Sequence, residues 1–265
     1  RLLIVSYTIS LIIIRLPRKM IDFIQEFIDS KSLSENSRNA YFYDLQQFVE
    51  AVDGKVSKEK LALYEHSLAP LKISAKKRKI SAVNQFLYFL YDTERLDRFY
   101  KLSNKEKLAT KPVSKELLDY SAFYQDSSYQ AGQLIALLMI ELGLSSSDLQ
   151  GLKVADLDRT FAVLRVQKAG LVRVLEVPAK LLDYMTANLS EEQIYLFDNQ
   201  GKSYSRQWFF NQLKAFLASL GLEDLSAQDM RHQYVLHQKA AGKSLLEVSR
   251  NLGLKSPVTL EKFYN

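Results

Sequence analysis

Apolar positions along most of the chain recur at three- and four-residue intervals, a spacing that predicts helices. Ile21, Ile24 and Ile28, flanked by Phe23 and Phe27, form a stripe that closes at the polar run Asp29-Ser30-Lys31-Ser32. A second helix is signalled by Ser34 or Asn36 as its cap and by Tyr41, Leu45, Phe48 and Val49 on one face. A third runs from Ser57 through Leu61, Leu63 and Tyr64. A fourth starts near Ser74 and carries Ile80, Val83, Leu87 and Leu90 on one side. Four helices within residues 20–100 predict a small all-α domain.

Residues 101–115, KLSNKEKLATKPVSK, are rich in Lys and poor in apolar side chains, and read as an exposed linker. A second domain is expected over 116–265. Ser114 is placed to cap a helix through Leu117, Leu118 and Tyr120, and a strongly apolar helix follows over Gly132 to Leu142. From Thr160 to Pro178 the pattern changes. Two β-branched runs, FAVLRVQ and LVRVLEVP, flank a short turn containing Gly170, which predicts a β-hairpin. Helical spacing returns from Ala179, over Trp208 to Leu220, Asp229 to Ala241 and Leu245 to Leu252; Trp208, Phe209 and Phe210 are assigned to the core.

The first nineteen residues differ in character. Leu2 to Ile14 is a weakly polar to apolar run of 13 residues, shorter than the ~20 a spanning helix needs. Leu16-Pro17-Arg18-Lys19 offers no small-residue cleavage site. Met20 stands directly before a good helix, so it is the expected natural start and 1–19 a non-native leader, with a membrane-associating leader as the alternative.

Composition narrows the class. With 265 residues, 47% hydrophobic and 25% charged, the chain is globular, one large domain or two modest ones. Nine Gly and five Pro are too few for an all-β fold, and zero Cys excludes disulfides, thiolate metal sites and cysteine nucleophiles, which fits a reducing cytoplasm. The formal net charge of +6 makes an anionic partner plausible. Its distribution is uneven: residues 1–112 hold 20 Lys and Arg against 13 Asp and Glu. Within that stretch Lys72, Lys76, Lys77, Arg78 and Lys79 place five cations in eight residues. Without residues 1–19 the total falls to +2, so the local cluster carries more of the argument than the total.

Several chemistries lack sequence support. No GxxxxGK[ST], no GxGxxG after a strand and no HExxH occurs. His232 and His237 are five apart, off a common helix face, and Ser145-Ser146-Ser147 after Gly143 lacks the GxSxG form.

The order of elements resembles the tyrosine recombinases of the phage-integrase family, most closely its bacterial Xer-type members. In the first half the likeness rests on LSENSRNAYFYDLQQFVE (33–50) and ISAKKRKISAVNQFLYFLY (73–91). In the second it rests on ELGLSSSDLQGLKVADLD (141–158), the hairpin around Lys168, and LSAQDMRHQYVLHQKAAGKSLLEVSRNLGLKSPVTLEKFY (225–264). The resemblance implies a mainly α protein: an all-α, SAM-like core-binding domain, a linker, and a mostly helical catalytic domain with a small antiparallel sheet. It implies double-stranded DNA as partner, a further recombinase protomer, no membrane, and no metal or cofactor. In that chemistry a tyrosine oxygen attacks a DNA phosphodiester, arginines and histidines stabilise the charged transition state, and a hairpin lysine protonates the leaving oxygen.

By this likeness Lys168 is the hairpin lysine, Arg231 the arginine of the HxxR box and Tyr264 the nucleophile. Three positions depart. Ser145 follows Gly143-Leu144 where the family has its first arginine, Gln228 replaces the histidine of HxxR, and Leu254 replaces the histidine of LGH. One extra residue separates Gly253 from Tyr264 relative to the family spacing. The cluster Lys72 to Lys79 falls where the family's basic helix faces DNA. The expectation is a recombinase-fold protein that binds DNA with weak or no strand cleavage. An active recombinase with compensating residues, and a regulatory partner of an active recombinase, are the alternatives.

Overall fold

Serine hydroxyls start many of the helices. Ser34, Ser57, Ser145, Ser205, Ser226 and Ser244 each accept a hydrogen bond from the backbone N–H three residues on, satisfying a donor that the helix itself leaves open. The computed structural model describes residues 19–103, 115–168, 170–190 and 192–264. These fall into two units, with the boundary inside the Lys-rich stretch. The expected leader, save Lys19, lies outside the described residues.

The first unit is helical, as the spacing predicts. A 3-10 turn at Met20–Asp22 leads into α1 (Phe23–Asp29), followed by α2 (Glu35–Ala51), α3 (Lys58–Ser67) and α4 (Ile73–Asp92). Phe27, Phe48 and Phe86 are fully buried between them with Ile24, Leu45, Val83 and Leu87. Phe27 and Phe86 pack tilted at 5.5 Å between ring centroids. The start of the Lys-rich stretch belongs to this unit: Leu102 is buried, donates its N–H to Asn84 Oδ1 at 2.7 Å and accepts from Asn84 Nδ2 at 2.9 Å. Residues 104–114, including the expected cap Ser114, lie outside the described residues.

The second unit is built around α5 (Gln130–Leu142), ten of whose residues are buried. A helix apolar on all sides must be covered on all sides. α7 (Ala179–Asn188), α8 (Arg206–Ser219) and α9 (Ala227–Ala240) pack on it. Gly132 sets the approach of α8: a Cβ there would lie 2.2 Å from the Gln212 carbonyl oxygen and 2.6 Å from Phe216 Cβ. Gly132→Ala is expected to destabilise this unit by about 1–3 kcal/mol through overpacking. Denaturant unfolding followed by the single tryptophan, Trp208, checks this; an unchanged midpoint would show that the two helices slide apart at no cost.

The hairpin forms as expected, β2 (Val163–Lys168) pairing antiparallel with β3 (Leu171–Glu176), and Gly170 takes φ +80° in the turn. A short strand the pattern did not reveal, β1 (Leu157–Asp158), completes the sheet in the order β1-β2-β3. A second two-stranded ribbon joins β4 (Asp198–Asn199) to β5 (Lys202–Ser203). The remaining helices are α6 (Ser146–Gly151), α10 (Leu245–Asn251) and α11 (Glu261–Tyr264).

Two expectations are corrected. Residues 115–120 form no helix. Their backbone groups bond to α9 instead: Gln233 accepts from the Leu118 N–H at 2.9 Å and donates to the Glu116 carbonyl at 2.9 Å. The aromatic run also divides. Phe209 is buried, Trp208 is half-buried and stacks on Tyr204 at 3.8 Å, and Phe210 is exposed, because successive residues on a helix point about 100° apart. Among the described residues no helix is long and apolar enough to cross a membrane.

Candidate functional site

At the start of α6 a buried carboxylate organises the surrounding groups. Ser145 begins the helix with a capping box, its hydroxyl donating to Asp148 Oδ2 at 2.6 Å and its N–H at 2.8 Å. Asp148 Oδ1 faces the sheet and takes two cations: Arg173 Nη2 of β3 at 2.8 Å and, more loosely, Lys168 Nζ of β2 at 3.7 Å. Lys168 also donates to Ser147 Oγ at 2.7 Å and is otherwise exposed. Arg173 is buried and donates through Nη1 to the Asn251 carbonyl at the end of α10 at 2.7 Å.

Arg231 comes from α9 and donates Nε–H to the Gly143 carbonyl at 2.9 Å. Burial is the main influence lowering its pKa; Asp148 works against this, and the like charge of Arg173 adds to it. A guanidinium stays charged through such a shift. Arg231 therefore belongs to the same electrostatic group as Asp148, Arg173 and, through Asp148, Lys168. Three cations share one carboxylate, so the group is net positive.

One turn of α9 presents Gln228 and His232, with the Gln228 side-chain nitrogen 2.8 Å from His232 Nε2. Burial lowers the His232 pKa first, and Lys262 and Arg231 lower it further against Asp229. A neutral ring leaves a bare nitrogen for the Gln228 amide to donate to. These residues and Arg231 line a cavity of about 130 Å³ with Leu254, Lys262 and Phe263. Phe263 is buried, its ring 5.0 Å from that of His232.

Tyr264, next in the chain, uses its hydroxyl elsewhere. It donates to the Lys243 carbonyl at 2.9 Å, in the turn between α9 and α10. Lys239 lies over its ring at 5.6 Å and donates to the Phe263 carbonyl at 2.7 Å. Burial, and then the charge of Glu247, raise the tyrosine pKa, which favours the protonated phenol over a nucleophilic phenolate. Leu254 packs against the apolar cluster of Tyr234, Val248, Leu252 and Phe263.

The basic cluster in the first unit has two kinds of member. Lys79 turns inward, its side chain only 12% exposed, to bond Asp44 at 2.9 Å and Gln47 at 2.6 Å. Arg78 bonds the same buried Asp44 at 3.1 Å. Lys72 is exposed at the first turn of α4, with Lys76 one turn on. Lys77 lines an open groove of about 930 Å³ with Lys31, Lys101, Tyr88 and Phe99. Among the described residues no group of His, Asp and Glu is arranged to hold a metal ion.

Sequence reasoning therefore placed Lys168 and Arg231 in one neighbourhood and missed two of its members, Asp148 and Arg173. The signal for Arg173 was present: alternation along LVRVLEV puts it on the same strand face as Leu175 and Val177, a charged residue at a core position.

Solved structures of tyrosine recombinases and integrases share this fold. The integrase of transposon Tn1549, in complex with circular intermediate DNA, superposes with a TM-score of 0.72 at 14% identity over 93% of this chain and 95% of that one. A lambda integrase dimer bound to a core site gives 0.68 at 13% identity over 93% and 94%. Searched against family models, the chain matches none. Its sequence relatives are more specific. A protein described as "Tyrosine recombinase XerD-like" from Streptococcus mutans serotype c is 51% identical over 245 residues, 92% of this chain and 99% of the relative. Another of that description from Streptococcus agalactiae is 48% identical over 92% of this chain and the whole of the relative. The chain belongs to the XerD-like tyrosine recombinases.

Proposed function

We propose that the protein binds double-stranded DNA in site-specific recombination or DNA integration, with weak or no strand cleavage. The observation that carries the reading is the division of the site. Cations suited to a phosphodiester remain gathered around Asp148, while the Tyr264 hydroxyl is held by the Lys243 carbonyl and its neighbour Phe263, not Tyr264, is among the residues lining the Arg231 cavity. Ser145 and Leu254 are engaged in a helix cap and in apolar packing. In such a site Lys168 acts as the hairpin lysine near the leaving oxygen and Arg231 as a phosphate-facing guanidinium, whose planar fork suits that oxyanion.

In the first unit we assign backbone contact to the start of α4, through Lys72, Lys76 and Lys77 with Arg78 at the margin. Lys79 serves to hold Asp44. Phosphate contacts of this kind make affinity fall with salt, log K changing by about 0.9 per contact for each unit of log salt. Changing Lys72, Lys76 and Lys77 together to Glu is expected to abolish measurable affinity for a mixed-sequence duplex at about 150 mM salt. Fluorescence anisotropy over a salt series checks it. Unchanged affinity and slope would remove α4 from the interface, and a wild-type chain with no salt-dependent affinity would leave the role of protein partner to an active recombinase. An active recombinase is the second reading, favoured by the extra arginine Arg173 beside Arg231.

A further inference from the structure

Arg173 lies between two of the three positions at which the chain departs from the family pattern. One Nη reaches Asp148, three residues past Ser145, and the other reaches the carbonyl of Asn251, three residues before Leu254. Gly253 admits it: a Cβ there would lie 3.0 Å from Arg173 Cδ, 3.1 Å from Nε and 3.3 Å from Cζ. The side chain thus runs from the helix start that lacks an arginine to the loop that lacks a histidine. A guanidinium has five N–H donors, and these two bonds use two of them.

Charge gives the arrangement a direction. Gathering buried Arg173, half-buried Arg231 and the largely exposed Lys168 around one buried carboxylate leaves like charges close together with too little counter-charge. A phosphodiester brought to this group supplies the missing negative charge. Asp148 orients Arg173 without neutralising the group.

We propose that Arg173 is the second phosphate-facing guanidinium of this site, supplied from strand β3 in place of an arginine at Ser145. This rests on the reading above, that the second unit holds a DNA phosphate. The site keeps a two-arginine grip on the backbone although α6 contributes none. Arg173 adds charge that holds the phosphodiester and does not replace the proton-transferring histidines absent at Gln228 and Leu254.

The test uses the whole chain, a fluorescently labelled duplex of mixed sequence and a salt series, with thermal unfolding of each variant. Arg173→Gln is compared with Arg231→Gln. Each is expected to make the slope of log K against log salt shallower by about 0.9, the loss of one phosphate contact. A folded Arg173→Gln with the wild-type slope, beside an Arg231→Gln that loses its contact, overturns the role of Arg173. If Arg231→Gln also keeps the wild-type slope, the parent reading of a phosphate site in this unit falls, and the Arg173 proposal with it. If Arg173→Gln does not fold, Arg173→Lys decides. It keeps the charge beside Asp148 but lacks the fork that serves two partners at once, so at least tenfold weaker binding is expected, and wild-type affinity overturns the proposal.

Discussion

Asp148→Ala is expected to destabilise the second unit by about 3–5 kcal/mol, the cost of leaving a buried cation without its partner. Arg173 would keep only the Asn251 carbonyl, Lys168 would lose its nearest carboxylate, and Ser145 would lose the acceptor of its capping box. The effect should exceed that of removing a solvent-screened ion pair such as Lys243 with Glu247. Guanidinium unfolding followed by Trp208 emission measures it, because the only tryptophan of the chain packs in this unit. A loss below about 1 kcal/mol would show that the carboxylate does not hold the cations together. Replacing Asp148 and Arg173 together by apolar residues should cost less than the sum of the single changes, since a missing pair leaves no stranded charge.

The pairing around Asp148 also shows what the chain made legible. Helices α1 to α4 and the hairpin follow local periodicity, and α2 and α3 also carry local serine caps, so the sequence was enough to place them. The segment 115–120 was misread because its backbone partners, Gln233 and His237, come from α9, more than a hundred residues away. The short strand β1 has two residues and no period of its own. Within the site, Lys168 and Arg231 were found by resemblance, and no resemblance pointed to Arg173, since the pattern holds no arginine there. The basic cluster was read as one surface because spacing counts charges and not their partners. Asp44, which bonds Arg78 and draws Lys79 inward, lies 34 and 35 residues before them.

The second large effect concerns strand cleavage. Removing one oxyanion-type donor costs roughly 10²–10³ in rate. Ser145, Gln228 and Leu254 depart from the family pattern; with Arg173 standing in for the arginine, the two histidine positions stay without a proton-transferring donor, and such losses combine without simple additivity. Gln228 donates a hydrogen bond but shuttles no proton. Tyr264 adds a further obstacle, because its hydroxyl must leave the Lys243 carbonyl before it can attack, and burial favours its protonated form. Cleavage slower than that of an intact site by at least about 10⁴ is the expected result.

A nicked suicide duplex measures this most directly. The nick is placed beside the scissile phosphate of a sequence that the protein selects from a random library, so that an attacking tyrosine would remain covalently attached. The predicted result is stable, salt-sensitive DNA binding with no covalent protein–DNA band. A band that forms with the wild-type chain and disappears in Tyr264→Phe would contradict the account.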